Sequence, residues 1–171
     1  MGSTPKGRST ASGKVAVMGL LERHPDGGQS RVIAKVVPNT RRYALQSTIR
    51  ERVEMDGETT LYTDAHKAYL PSWQWGPSIN YIHKVIDHAE AYAIGNVHTN
   101  GMENFWSLVK RMLKGTYVSV EPFHLFRYLD EECFRFNSRR VKDHIRFALT
   151  AASVVGKRLT FKQLTAADQT C

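Results

Sequence analysis

Cysteine is nearly absent: the 171 residues contain two, Cys133 and Cys171. Two thiols this far apart make neither a disulfide framework nor a zinc site, and they suit a reducing compartment. No apolar stretch approaches the roughly 18 residues that a membrane helix needs. The amino terminus has no apolar centre of the kind found in a signal peptide. A membrane partner is therefore not expected. Glycine-rich phosphate loops, internal repeats and a Ser-His-Asp nucleophile arrangement are also missing. His83, His88 and His98 fit no compact ligand spacing and have no thiolate nearby, which argues against zinc. Acids are scarce at the start of the chain. None precedes Glu22, and the first aspartate, Asp26, lies in the turn sequence His24-Pro25-Asp26-Gly27-Gly28.

The chain is otherwise that of a globular domain. Its length suits one domain, and 42% of its residues are hydrophobic. Lys and Arg number 24 against 16 Asp and Glu, giving a formal charge of +8. A polyanion is the natural partner for that charge, and nucleic acid fits best. Charge alone brings attraction without sequence specificity, so a merely basic surface stays open.

Taken in order, residues 1–12 read as a flexible basic arm. Lys14 to Leu21 and Arg31 to Val37 read as two strands of an antiparallel hairpin. Asn39 or Thr40 caps a helix running to about Val53, whose Leu45, Ile49 and Val53 step by four onto a buried side. Asp56-Gly57 turns the chain into a strand, Thr59 to Thr63, that ends at Asp64. Trp73 and Trp75 lie in a loop, where they stack on bases or fill a pocket. Tyr81 to Val85 is a short strand, and Asp87, His88 and Glu90 follow in a loop.

The centre of the reading is the stretch from His98 to Arg111. Met102, Phe105, Val109 and Met112 follow helical three-then-four spacing and make an apolar stripe. Glu103, Ser107, Lys110 and Lys114 recur on another face, and the seven-residue step from Glu103 to Lys110 aligns acid and ammonium. Thr99 or Asn100 can cap the helix start. Gly115 is expected to end this helix. Pro122 opens the next, which has a core line of Leu125, Leu129, Cys133 and Phe136. Asp130, Glu131 and Glu132 read as a solvated acidic cluster. Ile145, Ala148, Leu149 and Ala152 suggest a last helix, and Lys157 to Leu164 a tail that docks on the sheet. A carboxylate at a strand end and another at a helix start suit a hard divalent cation.

Several of these stretches resemble one family. Leu61-Tyr62-Thr63-Asp64-Ala65-His66-Lys67-Ala68-Tyr69 resembles the second-aspartate segment of insertion-sequence transposases of the IS1595 type, also called ISXO2-like. His98 to Arg111, with Leu113-Lys114-Gly115-Thr116-Tyr117, resembles their third-acid helix. Arg127-Tyr128-Leu129-Asp130-Glu131 and Phe134-Arg135-Phe136-Asn137 resemble the helix that follows, and the likeness runs from about Gly13 to Leu164.

The resemblance implies an α/β fold of RNase H-like type, a mixed sheet flanked by helices. It implies an Asp-Asp-Glu or Asp-Asp-Asn site that cuts and joins DNA with Mg2+, or Mn2+ in its place. Asp64 would be the second acid and Glu103 the third, with Asn100 as the alternative third residue. Lys110 would hold the DNA backbone, Arg111 and Lys114 would extend that edge, and His98 would touch a phosphate or orient the acid. The implied partner is double-stranded DNA, both transposon ends and target, with a homo-oligomer left open. The implied location is the bacterial cytoplasm, at the nucleoid.

One departure matters. The family's first aspartate lies upstream of the segment resembling Gly13-Lys14-Val15-Ala16-Val17-Met18-Gly19, where this chain has no acid. The expectation is therefore a catalytic domain, residues 13–171, without its first strand and impaired in cleavage. The alternatives are a DNA-binding remnant without chemistry and an RNase H-like nuclease completed by another acid.

Overall fold

A computed structural model describes residues 14–24, 28–54, 56–64, 66–69, 81–86 and 100–165. The expectations for the basic arm, Asp26, Trp73, Trp75, Asp87, His88, Glu90, His98 and Thr99 fall outside these residues. Strands β1 (Ala16–Glu22) and β2 (Arg31–Val37) form the expected antiparallel hairpin, with Ala16 opposite Val37 and Glu22 opposite Arg31. Both faces of this hairpin are apolar, so both can be covered.

Alternation sorts its side chains. Met18 and Val37 join Leu45 and Ile49 of helix α1 (Arg42–Arg52) and Ala68 in one core cluster. Val32 joins Phe105 and Val109 of α2 (Asn100–Met112) and Leu129 and Phe136 of α3 (Leu125–Asn137) in the other. The hairpin is thus the middle layer, with α1 on one side and α2 and α3 on the other. The apolar stripes of all three helices face it as their spacing predicts.

Strand β3 (Thr60–Asp64) pairs in parallel with β4 (Ile82–Ile86), Thr60 opposite Ile82 and Asp64 opposite Ile86. The expectation of one mixed sheet needs correction here. Among the described residues there are two separate two-stranded ladders, β1-β2 and β3-β4. Side chains connect them instead of backbone hydrogen bonds: Leu61 packs against the cluster of Met18, Leu45 and Ile49, and the Arg23 guanidinium lies 5.3 Å from the Tyr62 ring centre. One edge of β1 and one edge of β3 are consequently left without a ladder partner among the described strands.

Four further expectations are corrected. Gly115 does not end α2; the chain widens into a π-helical turn over Leu113–Tyr117 and breaks at Val118, whose φ is 61°. Arg41, not Asn39 or Thr40, stands at the cap of α1, and Asn39 instead accepts the Arg41 N–H through Oδ1 at 2.9 Å. Glu132 is buried rather than solvated, because it lies on the inner side of α3 with Leu129 and Phe136. The final segments, α4 (Asp143–Val154) and α5 (Phe161–Thr165), contain no buried residue, so the tail does not dock on the sheet.

Candidate functional site

Asp64 is the last residue of β3 and is exposed, at the end where two parallel strands finish together. In open α/β sheets that end is where ligands bind. Its Oδ1 accepts the His66 N–H at 3.3 Å, and Tyr69 N–H donates to the His66 carbonyl at 3.0 Å, so the chain turns immediately after the strand. Asp64 thus caps a turn. Strand alternation puts Tyr62 and Asp64 opposite Leu61 and Thr63. Since Leu61 packs on the α1 side, Tyr62 and Asp64 turn away from α1.

Helix α2 is seated on β1 by close backbone approach. A Cβ on Gly19 would lie 2.4 Å from Met102 Cε and 2.7 Å from Trp106 Cζ2, and one on Gly101 would lie 2.4 Å from Leu21 Cδ2. Phe105 and Val109 are buried below, while Asn100, Glu103, Lys110, Arg111 and Lys114 are exposed. Glu103 stands in the first turn, where a negative charge complements the helix dipole. The last turn carries Lys110 and Arg111. Acid and basic edge therefore share one solvent-facing side of one helix, as the seven-residue step predicts.

Asp64 and Glu103 are exposed oxygen donors, the donor chemistry that a hard divalent cation takes. Among the described residues no cluster of three or more His, Cys, Asp or Glu side chains is close enough to hold an ion. Burial, together with the charge of Asp64, raises the Tyr69 phenol above its ordinary range. Burial lowers the His83 imidazole below its ordinary value. His83 makes no metal cluster; its Nε2 lies 2.8 Å from Thr63 Oγ1.

That contact is the feature the sequence reading missed. Thr63 is buried and adjoins Asp64, and its hydroxyl also donates to the Asp64 carbonyl at 3.0 Å. The signal available was only the inward parity of Thr63 on its strand. Its partner lies 20 residues away, on a strand whose register no local pattern reveals.

Comparison with known proteins adds one finding. No curated protein and no solved structure matches the chain. The pattern of the ISXO2-like transposase domain, by contrast, matches residues 2–137, a span that includes β1 to β4 and α1 to α3. With most of its length covered, and with the strand-end aspartate and acid-bearing helix inside that span, the chain belongs to the ISXO2-like (IS1595) transposase domain family.

Proposed function

We propose that this chain is a DNA-processing transposase domain whose chemistry centres on Asp64 and Glu103. The family membership carries the reading, and the exposure of both carboxylates, Asp64 at a strand end and Glu103 in the first turn of α2, supports it. In this reading Asp64 and Glu103 hold Mg2+ or Mn2+, and Asn100, exposed at the start of the same helix, is the alternative to Glu103. A bound ion supplies positive charge at the scissile phosphate. The chain's own residues do the rest. Lys110, Arg111 and Lys114 hold the duplex backbone along the outer side of α2, and His98 adds a phosphate contact. Partners are transposon ends and target DNA, brought together by a homo-oligomer.

Among the described residues no third acid or imidazole groups with these two carboxylates. Cutting is accordingly expected to be weak in this chain.

The test is incubation of the purified chain with labelled duplex DNA, with and without Mg2+. The expected result is binding that weakens steeply with salt. Replacing Lys110, Arg111 or Lys114 by Ala should each make that salt dependence shallower by about one unit of slope. Robust cutting is not expected. Robust cutting that vanishes in Asp64→Ala would show a complete site and remove the impairment from the proposal. Failure to bind DNA at low salt removes the proposal itself.

A further inference from the structure

We infer that Thr63 and His83 are positioning residues for Asp64. A two-link relay, His83 Nε2–H to Thr63 Oγ1 and Thr63 O–H to the Asp64 carbonyl, fixes the peptide from which the carboxylate projects. The argument begins with hydrogen-bond counting. A threonine hydroxyl has one proton and two acceptor sites. At 3.0 Å the Asp64 carbonyl can only accept, so the Thr63 proton goes to it. The 2.8 Å contact to His83 must then run the other way, with Nε2 as donor. This fixes the imidazole tautomer, with the proton on Nε2, and the ring is also braced edge-on by Tyr81 at 6.3 Å between centroids.

The relay lies at the end of the described ladder. Asp64 and Ile86 are the last paired residues of β3 and β4 among the described residues. The Thr63 side chain beside them is buried. On the outer face the Asp64 carboxylate accepts the His66 N–H. The aspartate is therefore gripped at its carbonyl from inside and at its carboxylate from outside. Outer partners of this kind, set behind a ligand, commonly govern metal affinity. That Asp64 carries an ion rests on the function proposed above. That its peptide is held by this relay does not.

Two measurements separate the claims. The first is 15N NMR of the imidazole together with hydrogen exchange at the His66 amide. The expected result is a protonated Nε2 on His83, and exchange at His66 about tenfold faster in Thr63→Val but unchanged in Thr63→Ser. A proton on Nδ1, or unchanged exchange in Thr63→Val, overturns the relay. The second is Mn2+ titration followed by electron paramagnetic resonance. Binding that is lost in Asp64→Asn is expected to weaken about tenfold in Thr63→Val and His83→Phe, with recovery in Thr63→Ser and His83→Gln. Equal affinity in all four variants, with Asp64 dependence intact, overturns positioning of the metal ligand. If the wild-type chain shows no Asp64-dependent Mn2+ binding, the metal reading of Asp64 falls, and the exchange data alone decide the relay.

Discussion

Glu132 and Glu131 are neighbours with opposite electrostatics. Glu132 lies on the inner side of α3 at 7% exposure. Burial pushes its carboxyl above the ordinary value of 4.5; the charge of Arg135 opposes this and that of Glu131 adds to it. Glu131 is also partly buried, yet the Tyr117 hydroxyl at 2.5 Å and the Arg135 guanidinium at 2.7 Å hold it below its ordinary value. The consequence for Glu132 has a definite sign. Between its ordinary and raised values the folded chain keeps a proton that the unfolded chain releases, so stability falls as pH rises through that window. Replacing the acid by a neutral isostere removes this penalty. Glu132→Gln is expected to melt at a higher temperature than wild type at pH 7, with the difference gone near pH 4, where both side chains are neutral. Melting curves at the two pH values decide the matter. A variant that melts lower at pH 7 shows that the ionised carboxylate is satisfied where it lies.

At the scale of elements, the seat of α2 on β1 depends on missing Cβ atoms. In Gly19→Ala the new methyl meets the Met102 terminus, which can swing aside, and the Trp106 ring, which is packed at 5.2 Å against Phe105 and cannot. The expected cost is about 1–3 kcal/mol in urea unfolding. Gly115→Ala is the control: nothing lies within 4 Å of the added carbon, so no steric cost is expected. The same helix ends in strain. Val118 has φ 61° and ψ −53°, with Ser119 N–H donating to the Tyr117 carbonyl at 2.6 Å, a γ-turn of the rare positive-φ kind on a β-branched residue. Val118→Gly should raise stability by about 1 kcal/mol, the strain released exceeding the chain entropy that glycine adds. A lower melting point would show that the turn suits valine. These features mark what a linear sequence reveals. The stripes Leu45-Ile49, Phe105-Val109 and Leu129-Phe136 were legible because helical periodicity is a local property. The separation of β1-β2 from β3-β4 was not, because strand pairing depends on distant partners. Gly115 misled because a glycine after a helix signals its end only when it takes positive φ. In the candidate site, the exposure of Asp64 and Glu103 could be read from parity and stripe. The bond from Thr63 to His83 could not, since it depends on the register of two strands.

The whole molecule has an uneven distribution of apolar burial. Phe105 is 0% exposed and meets Trp106 and Phe136, while Phe147 on α4 is 75% exposed. Residues matched by the family pattern end at 137, and both core clusters draw their buried members from within that span. Beyond it, α4, α5 and the residues between them display Leu149, Val154, Val155, Leu159 and Phe161 to solvent. Stability should therefore be carried by the layers around the β1-β2 hairpin, with α4 contributing little. Two substitutions of the same residue type test this division. Phe105→Ala removes a ring from a filled core and should cost about 3–5 kcal/mol. Phe147→Ala removes a ring from water and should change stability by less than about 0.5 kcal/mol. Both are read from chemical denaturation of the intact chain at low protein concentration, where contacts between copies do not contribute. If Phe105→Ala leaves too little folded protein to measure, Phe105→Leu, with an expected loss of about 1–2 kcal/mol, takes its place. A loss in Phe147→Ala comparable with that at Phe105 would mean that α4 packs against the body of the domain, and that the layers around the hairpin are not the whole of its core.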